Sequence, residues 1–321
     1  MNTIWHILIN PSAAAGRGRK VWEQIMPVLK ERGITYKQFF PATEDHAKEI
    51  IHKLETADTK DGSAVNLIVV GGDGTMGTVT GAITDFTRFR IGYIPAGSAN
   101  DLALSLGLSR DPVDNLSIIL EGNITRRLDV GIISYTGSDT SADVGDGSPH
   151  RFLVSSGIGF DAAVCAHVNG SRLKKVLSKI GLSKLSYLVI ALKILFTEEK
   201  TGCTITLDNG AVHRMDKAMF AAIMIERFEG GGFMFAPDAD YSDGLFDLCM
   251  IGDISIPKFL TSLPKAKKGT HFTIKGATHA LSSRVDIKAD APLYVHADGD
   301  VVAHTDHITV TCCKQVLSLL N

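Results

Sequence analysis

Apolar and polar residues alternate in blocks along the first part of the chain, and the blocks predict strands and helices in turn. Short apolar runs bounded by turn residues are typical of buried strands. They lie at Ile4–Ile9, Thr35–Phe40, Leu67–Val70 and Ile91–Ile94. Stretches with helical periodicity lie near Val21–Glu31 and Glu44–Leu54 and after Thr75. This alternation predicts a doubly wound α/β domain.

Segments rich in glycine and small polar residues follow three of these predicted strands. They are Asn10-Pro11, Gly71–Gly74 and Pro95–Asn100. Because ligands in such domains bind at the carboxyl ends of the strands, we expect the three loops to converge on one crevice. A glycine turn that leads into a helix opens backbone N–H groups and the positive end of the helix dipole to an anion. The sequence GGDGT therefore predicts a phosphate site.

The pattern changes after about Arg126 to short apolar stretches separated by turn residues. It predicts a second, β-rich domain of antiparallel, sandwich-like strands over residues 127–305, after an α/β domain over residues 1–126. The segment VLSLLN, within 306–321, is interpreted as a strand that returns to the first domain. The acidic, glycine- and serine-rich stretch Gly137–His150 predicts a long mobile loop, and Ser171–Lys200 predicts a helix.

Composition excludes several classes of protein. With 33 Lys and Arg against 35 Asp and Glu, the net charge of −2 gives no indication of a nucleic-acid partner. The five cysteines lack the spacing of a zinc site or a disulfide framework, which favours a reducing cytosol. No stretch approaches the roughly 18 uninterrupted apolar residues of a membrane span. We therefore expect a cytoplasmic protein.

The motifs INPSAAAGRG, GGDGT and IPAGSANDLA, in this order, resemble those of the diacylglycerol kinase catalytic-domain family. That family includes bacterial soluble lipid kinases and the sphingosine kinases. The resemblance continues through RRLDVG, GFDAAV, EGGGFMFAPDADYSDGLFD and HADGD, so it covers nearly the whole chain. It implies ATP- and Mg²⁺-dependent phosphoryl transfer to a lipid hydroxyl in a cleft between the two domains.

The resemblance also implies nucleotide contacts from the loops at the strand ends. The implied residues are Asn10, Pro11, Ser12, Ala13, Ala14, Thr43, Gly71, Gly72, Asp73, Gly74, Thr75, Met76, Gly77, Thr78, Ser98 and Asn100. Two positions depart from the family pattern. Gly77-Thr78 stand where the family usually has Asn-Glu, which removes an amide and a carboxylate, whereas Ser98 in place of threonine keeps the hydroxyl.

The turn APDADYSDGL is similar to the family's magnesium site. The implied ligands are the carboxylates of Asp240 and Asp243 and the backbone carbonyl of Leu245. Hard oxygen ligands of this kind suit Mg²⁺. Without the resemblance, the same residues fit an ordinary solvated acidic turn.

The late motif HADGD carries the implied chemistry. The resemblance implies Asp300 as the general base on the lipid hydroxyl and Asp298 as a member of the metal network, with Asp129 as a third carboxylate of that network. The family usually has glutamate at the position of Asp300, so aspartate keeps the carboxylate but shortens its reach by a methylene. By itself, Asp-Gly-Asp also fits a routine hairpin turn.

Basic residues interleaved with apolar ones suggest contact with a membrane surface. They are Arg172, Lys174, Lys175, Lys179, Lys184, Lys193 and Lys200, with a second group at Lys265, Lys267 and Lys268. A basic amphipathic helix binds anionic lipid. A helix packed on the second domain with a solvated lysine face explains the first group equally well. Peripheral membrane association is therefore a hypothesis.

The leading hypothesis is an ATP- and Mg²⁺-dependent lipid kinase with a lipid substrate and no nucleic-acid partner. An NAD kinase, which shares GGDGT and a related two-domain fold, is the alternative enzyme. A non-catalytic nucleotide- or lipid-binding regulator is the alternative from another class. The sequence leaves open the acceptor lipid, ATP against GTP, and monomer against homodimer.

Overall fold

The computed structural model describes residues 4–57, 64–135, 149–169, 183–197 and 200–321. In the first domain, four parallel strands alternate with helices. The strands are β1 (Trp5–Ile9), β2 (Tyr36–Phe39), β3 (Val65–Gly71) and β4 (Phe89–Pro95), and the helices are α1 (Ala13–Glu31), α2 (Glu44–Thr56), α3 (Asp73–Ala82), α4 (Asp101–Ser105) and α5 (Pro112–Leu120). The strand order β4-β3-β1-β2 confirms the predicted doubly wound domain.

Helices cover both faces of this parallel sheet. On β3, Leu67 and Val69 pack into a core with α2 and α3. Their neighbours Ile68 and Val70 point the other way and pack with α1 and α5. Because both faces are buried, the strand needs an unbroken apolar run rather than an alternating one.

Helix α1 begins earlier than the sequence pattern predicts. The helical periodicity starts at Val21, but the helix runs from Ala13. Inside it, Ala14, Ala15 and Gly16 have positive φ angles of 44°, 56° and 98°, so the regular part of the helix starts after them. Left-handed backbone at two alanines is strained and is characteristic of functional loops.

The second domain is built of antiparallel strands, as predicted, and its described residues also form three helices. Its strands are β5 (Arg126–Tyr135), β6 (His150–Phe152), β7 (Ser155–Gly159), β8 (Cys203–Leu207), β9 (Val212–Met215), β10 (Ala218–Met224), β11 (Phe246–Gly252), β12 (Ala277–Ser282), β13 (Arg284–Ala297) and β14 (Asp300–Leu319). Its helices are α6 (Phe160–Asn169), α7 (Ser183–Thr197) and α8 (Ile256–Lys267). The main strand order is β12-β11-β10-β7-β13-β14.

Strand β14 connects the two domains. It forms a hairpin with β13, pairs antiparallel with β5, and then pairs in parallel with β4 through Leu319 and Ile91. The N–H of Leu320 donates to the carbonyl of Ile91 (2.8 Å), and the Asn321 side chain bonds the N–H and C=O of Tyr93. The segment VLSLLN therefore returns to the first domain, and one sheet runs through both domains.

Two stretches singled out in the sequence are covered only in part. The predicted loop Gly137–His150 lies almost wholly outside the described residues, as do residues 171–182 of the basic segment. Within that segment, α7 is helical. Among the described residues, none of the helices is both long and apolar enough to span a bilayer.

Candidate active site

The three glycine-containing loops meet at the carboxyl edge of the first-domain sheet. The Asn10 side chain donates from Nδ2 to Thr75 Oγ1 (3.0 Å), and the N–H of Ala96 donates to the carbonyl of Gly71 (2.6 Å). A Cβ added at Gly97 would lie 2.5 Å from the Cα of Gly72, so glycine is required for this approach. The predicted convergence is confirmed.

The remaining residues of the first and third loops shape those loops. Ser12 donates from its N–H (3.2 Å) and its hydroxyl (2.8 Å) to Asn10 Oδ1. Asn100 has a φ of 55°, and its Oδ1 accepts from the N–H of Gly97 (2.8 Å). Ser98, which lies between Gly97 and Asn100 in the sequence, is exposed. Thr43 caps α2 by accepting from the N–H of His46 (3.2 Å), beyond the end of β2.

Helix α3 presents different side chains to the core and to the junction between the domains. Met76 is fully buried in the first-domain core, so only its backbone is available to a nucleotide. Gly77 approaches the second domain, because a Cβ added there would lie 3.6 Å from Asp298 Oδ2. The glycine that departs from the family pattern is therefore next to a proposed catalytic carboxylate.

Asp73, in the first turn of α3, connects the GGDGT loop to α4. Its carboxylate accepts from the N–H groups of Asp101 (2.9 Å) and Leu102 (3.3 Å). Burial raises the pKa of Asp73 to about 6, although the hydrogen bond from the Asp101 N–H lowers it. A buried carboxylate at this position gives the loop a charge that can be neutralised near physiological pH.

Asp298, in the turn between β13 and β14, lies opposite that loop. Its φ is 49°, and its carboxylate accepts from the N–H groups of Leu153 (2.9 Å), Val154 (2.8 Å) and Ser155 (3.1 Å). Burial raises its pKa to about 6, although these three N–H groups lower it. The charge of Asp73 adds a smaller increase.

A second contact between the domains runs through Asp101. Its carboxylate accepts from the N–H groups of Gly231 (2.9 Å) and Gly232 (2.8 Å), in the glycine run after β10. Lys267 donates to the carbonyl of Gly231 (2.9 Å) and lies 5.0 Å from the centre of the Phe233 ring. One lysine of the second basic group therefore helps to hold this loop.

Asp129 lies against the predicted magnesium turn. Its Oδ2 accepts from the N–H of Gly244 (2.7 Å) and its Oδ1 from the N–H of Gln315 in β14 (2.6 Å). Burial raises its pKa, and the charge of Asp243 adds to the effect. The family resemblance implies that Asp129 belongs to one network with Asp298 and Asp300. The observed contacts of Asp129 connect the magnesium turn to β14. Its catalytic role stays a prediction.

The turn itself offers oxygen ligands. Asp240 Oδ1 accepts from the N–H (2.9 Å) and hydroxyl (2.7 Å) of Ser242, and Asp243 Oδ1 accepts from the N–H of Leu245 (2.8 Å). Both aspartates are exposed. Two carboxylates and the Leu245 carbonyl form a hard-oxygen donor set of the kind that Mg²⁺ accepts together with water.

Asp300 begins β14 on the second-domain side of the junction and is exposed. It pairs with Ala297 in the hairpin, two residues beyond Asp298. Burial raises the pKa of the Cys165 thiol in α6 to about 11, and the charge of Asp300 is among the smaller causes. The proposed base therefore lies beside α6.

Four titratable residues near the site were not assigned a role from the sequence. Glu226, 2% exposed, follows β10; burial raises its pKa well above the ordinary value, and the charge of Asp298 contributes. Asp161, Glu229 and His296 meet in the second domain. The motif GFDAAV contains Asp161, but no local spacing connects it with the other two residues.

Comparisons with known proteins agree with this architecture. The diacylglycerol kinase catalytic domain matches residues 5–133, and the YegS C-terminal NAD kinase beta sandwich-like domain matches residues 153–321. A diacylglycerol kinase of Mycobacterium tuberculosis (strain ATCC 25618 / H37Rv) is 28% identical over 300 residues, which are 91% of this chain and 87% of the relative.

Two solved structures share the fold. A diacylglycerol kinase from Bacillus anthracis str. Sterne has a TM-score of 0.66 and 17% identity, covering 99% of this chain and 96% of that one. An NAD kinase from Archaeoglobus fulgidus, solved in complex with ATP, has a TM-score of 0.52 and 14% identity. The match covers 99% of this chain and 94% of that one. With both family models matched in sequence, the chain belongs to the diacylglycerol kinase catalytic-domain family.

Proposed function

We propose that the protein is an ATP- and Mg²⁺-dependent lipid kinase that phosphorylates a lipid hydroxyl at the membrane surface. The observation that best supports this is the approach of α3 to Asp298 across the domain junction, where a Cβ added at Gly77 would lie 3.6 Å from Asp298 Oδ2. It brings the loop proposed to bind phosphate next to the turn that carries Asp300. Nucleotide and acceptor would then meet between the domains.

On the first-domain side, the backbone provides most of the proposed nucleotide contacts. The N-terminus of α3 offers N–H groups and the positive end of its dipole to the phosphates. The hydrogen bond between Asn10 and Thr75 fixes the loop after β1 against this helix. Phosphoryl transfer needs mainly such positioning and electrostatic stabilisation.

On the second-domain side, Asp300 takes the proton of the acceptor hydroxyl. The hydroxyl oxygen forms a bond to the γ-phosphorus while the bond from that phosphorus to the bridging oxygen breaks, and ADP leaves with the electron pair. Bound Mg²⁺ supplies positive charge that offsets charge developing on the phosphates. Asp129 holds the Asp240–Leu245 turn against β14, the strand that begins with Asp300.

The membrane component of the proposal is supported by the exposed end of α8. Lys265, Lys267 and Lys268 are all exposed there, in the last turn of the helix and just after it. Basic side chains near an anionic surface each contribute about 1 kcal/mol to binding. Co-sedimentation with anionic and neutral vesicles tests this component separately from catalysis.

Transfer of labelled γ-phosphate from ATP to a panel of lipids in mixed micelles tests the proposed activity. NAD serves as a soluble control acceptor, and Asp300→Asn is compared with the wild type. We expect lipid phosphorylation that falls about a hundredfold or more in the variant, because a general base contributes roughly 10²–10⁴. Transfer to NAD alone would show that the protein is an NAD kinase and not a lipid kinase. ATP binding without transfer to any acceptor would show that it is a non-catalytic regulator.

A further inference from the structure

A cluster of three side chains in the second domain has no role in the mechanism above. Asp161 lies in the first turn of α6, Glu229 in the loop after β10, and His296 near the end of β13. His296 Nε2 is 3.2 Å from Glu229 Oε1 and 3.4 Å from Asp161 Oδ2. The histidine is fully buried, whereas the two carboxylate side chains are 18% (Asp161) and 16% (Glu229) exposed. The cluster therefore reaches from the interior to the surface.

Three polar atoms of this cluster, one from each residue, lack a hydrogen-bond partner among the described residues. Among the described residues, none donates to Asp161 Oδ2 or Glu229 Oε2, and His296 Nε2 makes no directed hydrogen bond despite its short distances. Buried polar atoms in proteins are nearly always paired. Three such atoms that face one another indicate a site that a polar ligand completes.

The hydrogen bond at the other ring nitrogen of His296, Nδ1, determines which ligand fits. The N–H of Gly299 donates to His296 Nδ1 (3.2 Å), so Nδ1 is an acceptor and the ring proton lies on Nε2. Burial lowers the pKa of His296, but the two carboxylates raise it well above its ordinary value. Nε2 carries a proton in the neutral tautomer and in the charged ring alike. The cluster presents one N–H donor and two carboxylate acceptors.

This donor and acceptor set favours a hydroxyl over other ligands. A metal ion needs the lone pair of Nε2, which the tautomer gives to a proton. An ammonium group pairs with the carboxylates but has no lone pair to accept from Nε2–H. A hydroxyl accepts from Nε2–H and donates to a carboxylate at the same time.

Gly157 leaves the space that the cluster side chains themselves occupy. It lies on β7 beside His296, with which it pairs. A Cβ at this position would lie 2.0 Å from Asp161 Oδ2 and 2.5 Å from His296 Nε2. Any other residue would displace these two side chains, so the glycine allows their polar atoms to meet.

The cluster is next to the proposed base. The Gly299 N–H connects His296 directly to the turn that ends at Asp300. Helix α6 packs against both β13 and β14, and its Cys165 lies within electrostatic reach of all three cluster residues and of Asp300. A group bound in the cluster would therefore lie beside the hydroxyl that Asp300 deprotonates.

We propose that Asp161, Glu229 and His296 bind a second hydroxyl of the acceptor, adjacent to the hydroxyl that is phosphorylated. The inference rests on the proposed lipid kinase function and narrows it to acceptors with a vicinal diol. Diacylglycerol presents one hydroxyl, whereas 1-monoacylglycerol and the head group of phosphatidylglycerol present two on adjacent carbons. The two carboxylates disfavour the phosphate of phosphatidylglycerol, so monoacylglycerol fits better.

A matched pair of acceptors tests the subsite. 1,2-Dodecanediol and 1-dodecanol differ only in the second hydroxyl, and both are offered in uncharged mixed micelles with monoacylglycerol, diacylglycerol and phosphatidylglycerol. We expect kcat/KM to be at least about tenfold higher for the diol, because a site built to bond a hydroxyl rejects the analogue that lacks it. The ratio falls towards one in Asp161→Asn and in Glu229→Gln, each tested singly, and is kept in the exposed control Asp306→Asn.

Equal kcat/KM for the two alcohols in the wild type would overturn the subsite, and so would a ratio retained in both variants. A higher rate with phosphatidylglycerol than with monoacylglycerol would agree with the diol requirement. It would contradict the argument that the two carboxylates disfavour the phosphate of phosphatidylglycerol. Calorimetric binding of the diol and the mono-ol below their micellar concentrations, without ATP, separates this inference from the kinase. Suppose that the protein binds the diol selectively, loses this binding in Asp161→Asn, and phosphorylates no lipid. That result would support the proposed subsite and contradict the proposed kinase activity.

Discussion

Asp73 of the GGDGT loop and Asp298 of the β13–β14 turn come from different domains but lie at the same junction, where a Cβ added at Gly77 of α3 would be 3.6 Å from Asp298 Oδ2. Burial is the main cause that raises the pKa of each to about 6, and the charge of Asp73 contributes to the increase at Asp298. Two carboxyls that titrate near neutral pH at the domain junction change its charge over a physiological range. This relationship supports the first prediction.

Stability should fall as the pH rises from about 4 to about 6 when nucleotide and metal are absent. The folded-state pKa values of Asp73 and Asp298 lie above the ordinary 3.8, so the folded state binds more protons than the unfolded state in this window. We expect each residue to lower the free energy of unfolding by about 1–2 kcal/mol across the window, allowing for partial solvent screening.

Urea unfolding at pH 4 and pH 7 measures this slope, and the double variant Asp73→Asn/Asp298→Asn provides the comparison. The variant should lose less stability than the wild type between the two pH values. Identical losses in both proteins would contradict the prediction, whatever their absolute stabilities.

Gly97→Ala should destabilise the protein and weaken nucleotide binding. The new Cβ would lie 2.5 Å from the Cα of Gly72, and backbone on both sides prevents an easy shift. We expect a loss of about 1–3 kcal/mol in the free energy of unfolding, as in other overpacked sites. Gly81→Ala is the matched control in α3. Its Cβ meets no atom within 4 Å, so it should stabilise the helix by about 0.5–1 kcal/mol. Equal effects of the two changes would show that the loops do not approach as described.

Gly77→Asn should shift the titration of Asp298 to lower pH. It places an amide beside Asp298 Oδ2, which is 3.6 Å from the position of the new Cβ. A hydrogen bond donated to the ionised carboxylate lowers its pKa. NMR titration of the Asp298 carboxyl carbon measures the shift, and Gly77→Ala adds the same Cβ without the amide. A pKa that is the same in both variants would show that the amide does not reach the carboxylate.

Mg²⁺ should stabilise the protein through the turn that carries Asp240 and Asp243. An ion that binds only the folded state adds about 2.7 kcal/mol at a hundredfold excess over its Kd, which raises Tm by several degrees. Asp243→Asn should abolish this gain, and the exposed control Asp306→Asn should keep it. A Tm that rises equally with Mg²⁺ in all three proteins would place the ion elsewhere.

The first-domain loops were predictable because local pattern and strand direction determine where they lie. An unbroken apolar run such as Leu67–Val70 identifies a strand buried on both faces, and parallel strands bring their carboxyl ends to one edge. The left-handed backbone at Ala14 and Ala15 was not predictable, since alanine favours a regular helix.

The second-domain cluster could not be predicted in the same way. Asp161, Glu229 and His296 lie on three separate elements, and only the pairing of β7 with β13 and β10 brings them together. The register of such pairing depends on burial over the whole sheet rather than on local spacing. The same reason applies to the contact of Asp129 with Gln315, because it depends on the bulge in β14 before Leu317.

The long strand β14 also constrains the order in which the molecule folds. Asn321 bonds to Tyr93, 228 residues earlier in the chain, and Leu319 completes the pairing of β4. Contacts between such distant residues close late and slowly. A nascent chain on the ribosome therefore exposes the edge of β4 until the second domain has been synthesised. Since β14 begins with Asp300, the strand that completes the first-domain sheet also carries the proposed base.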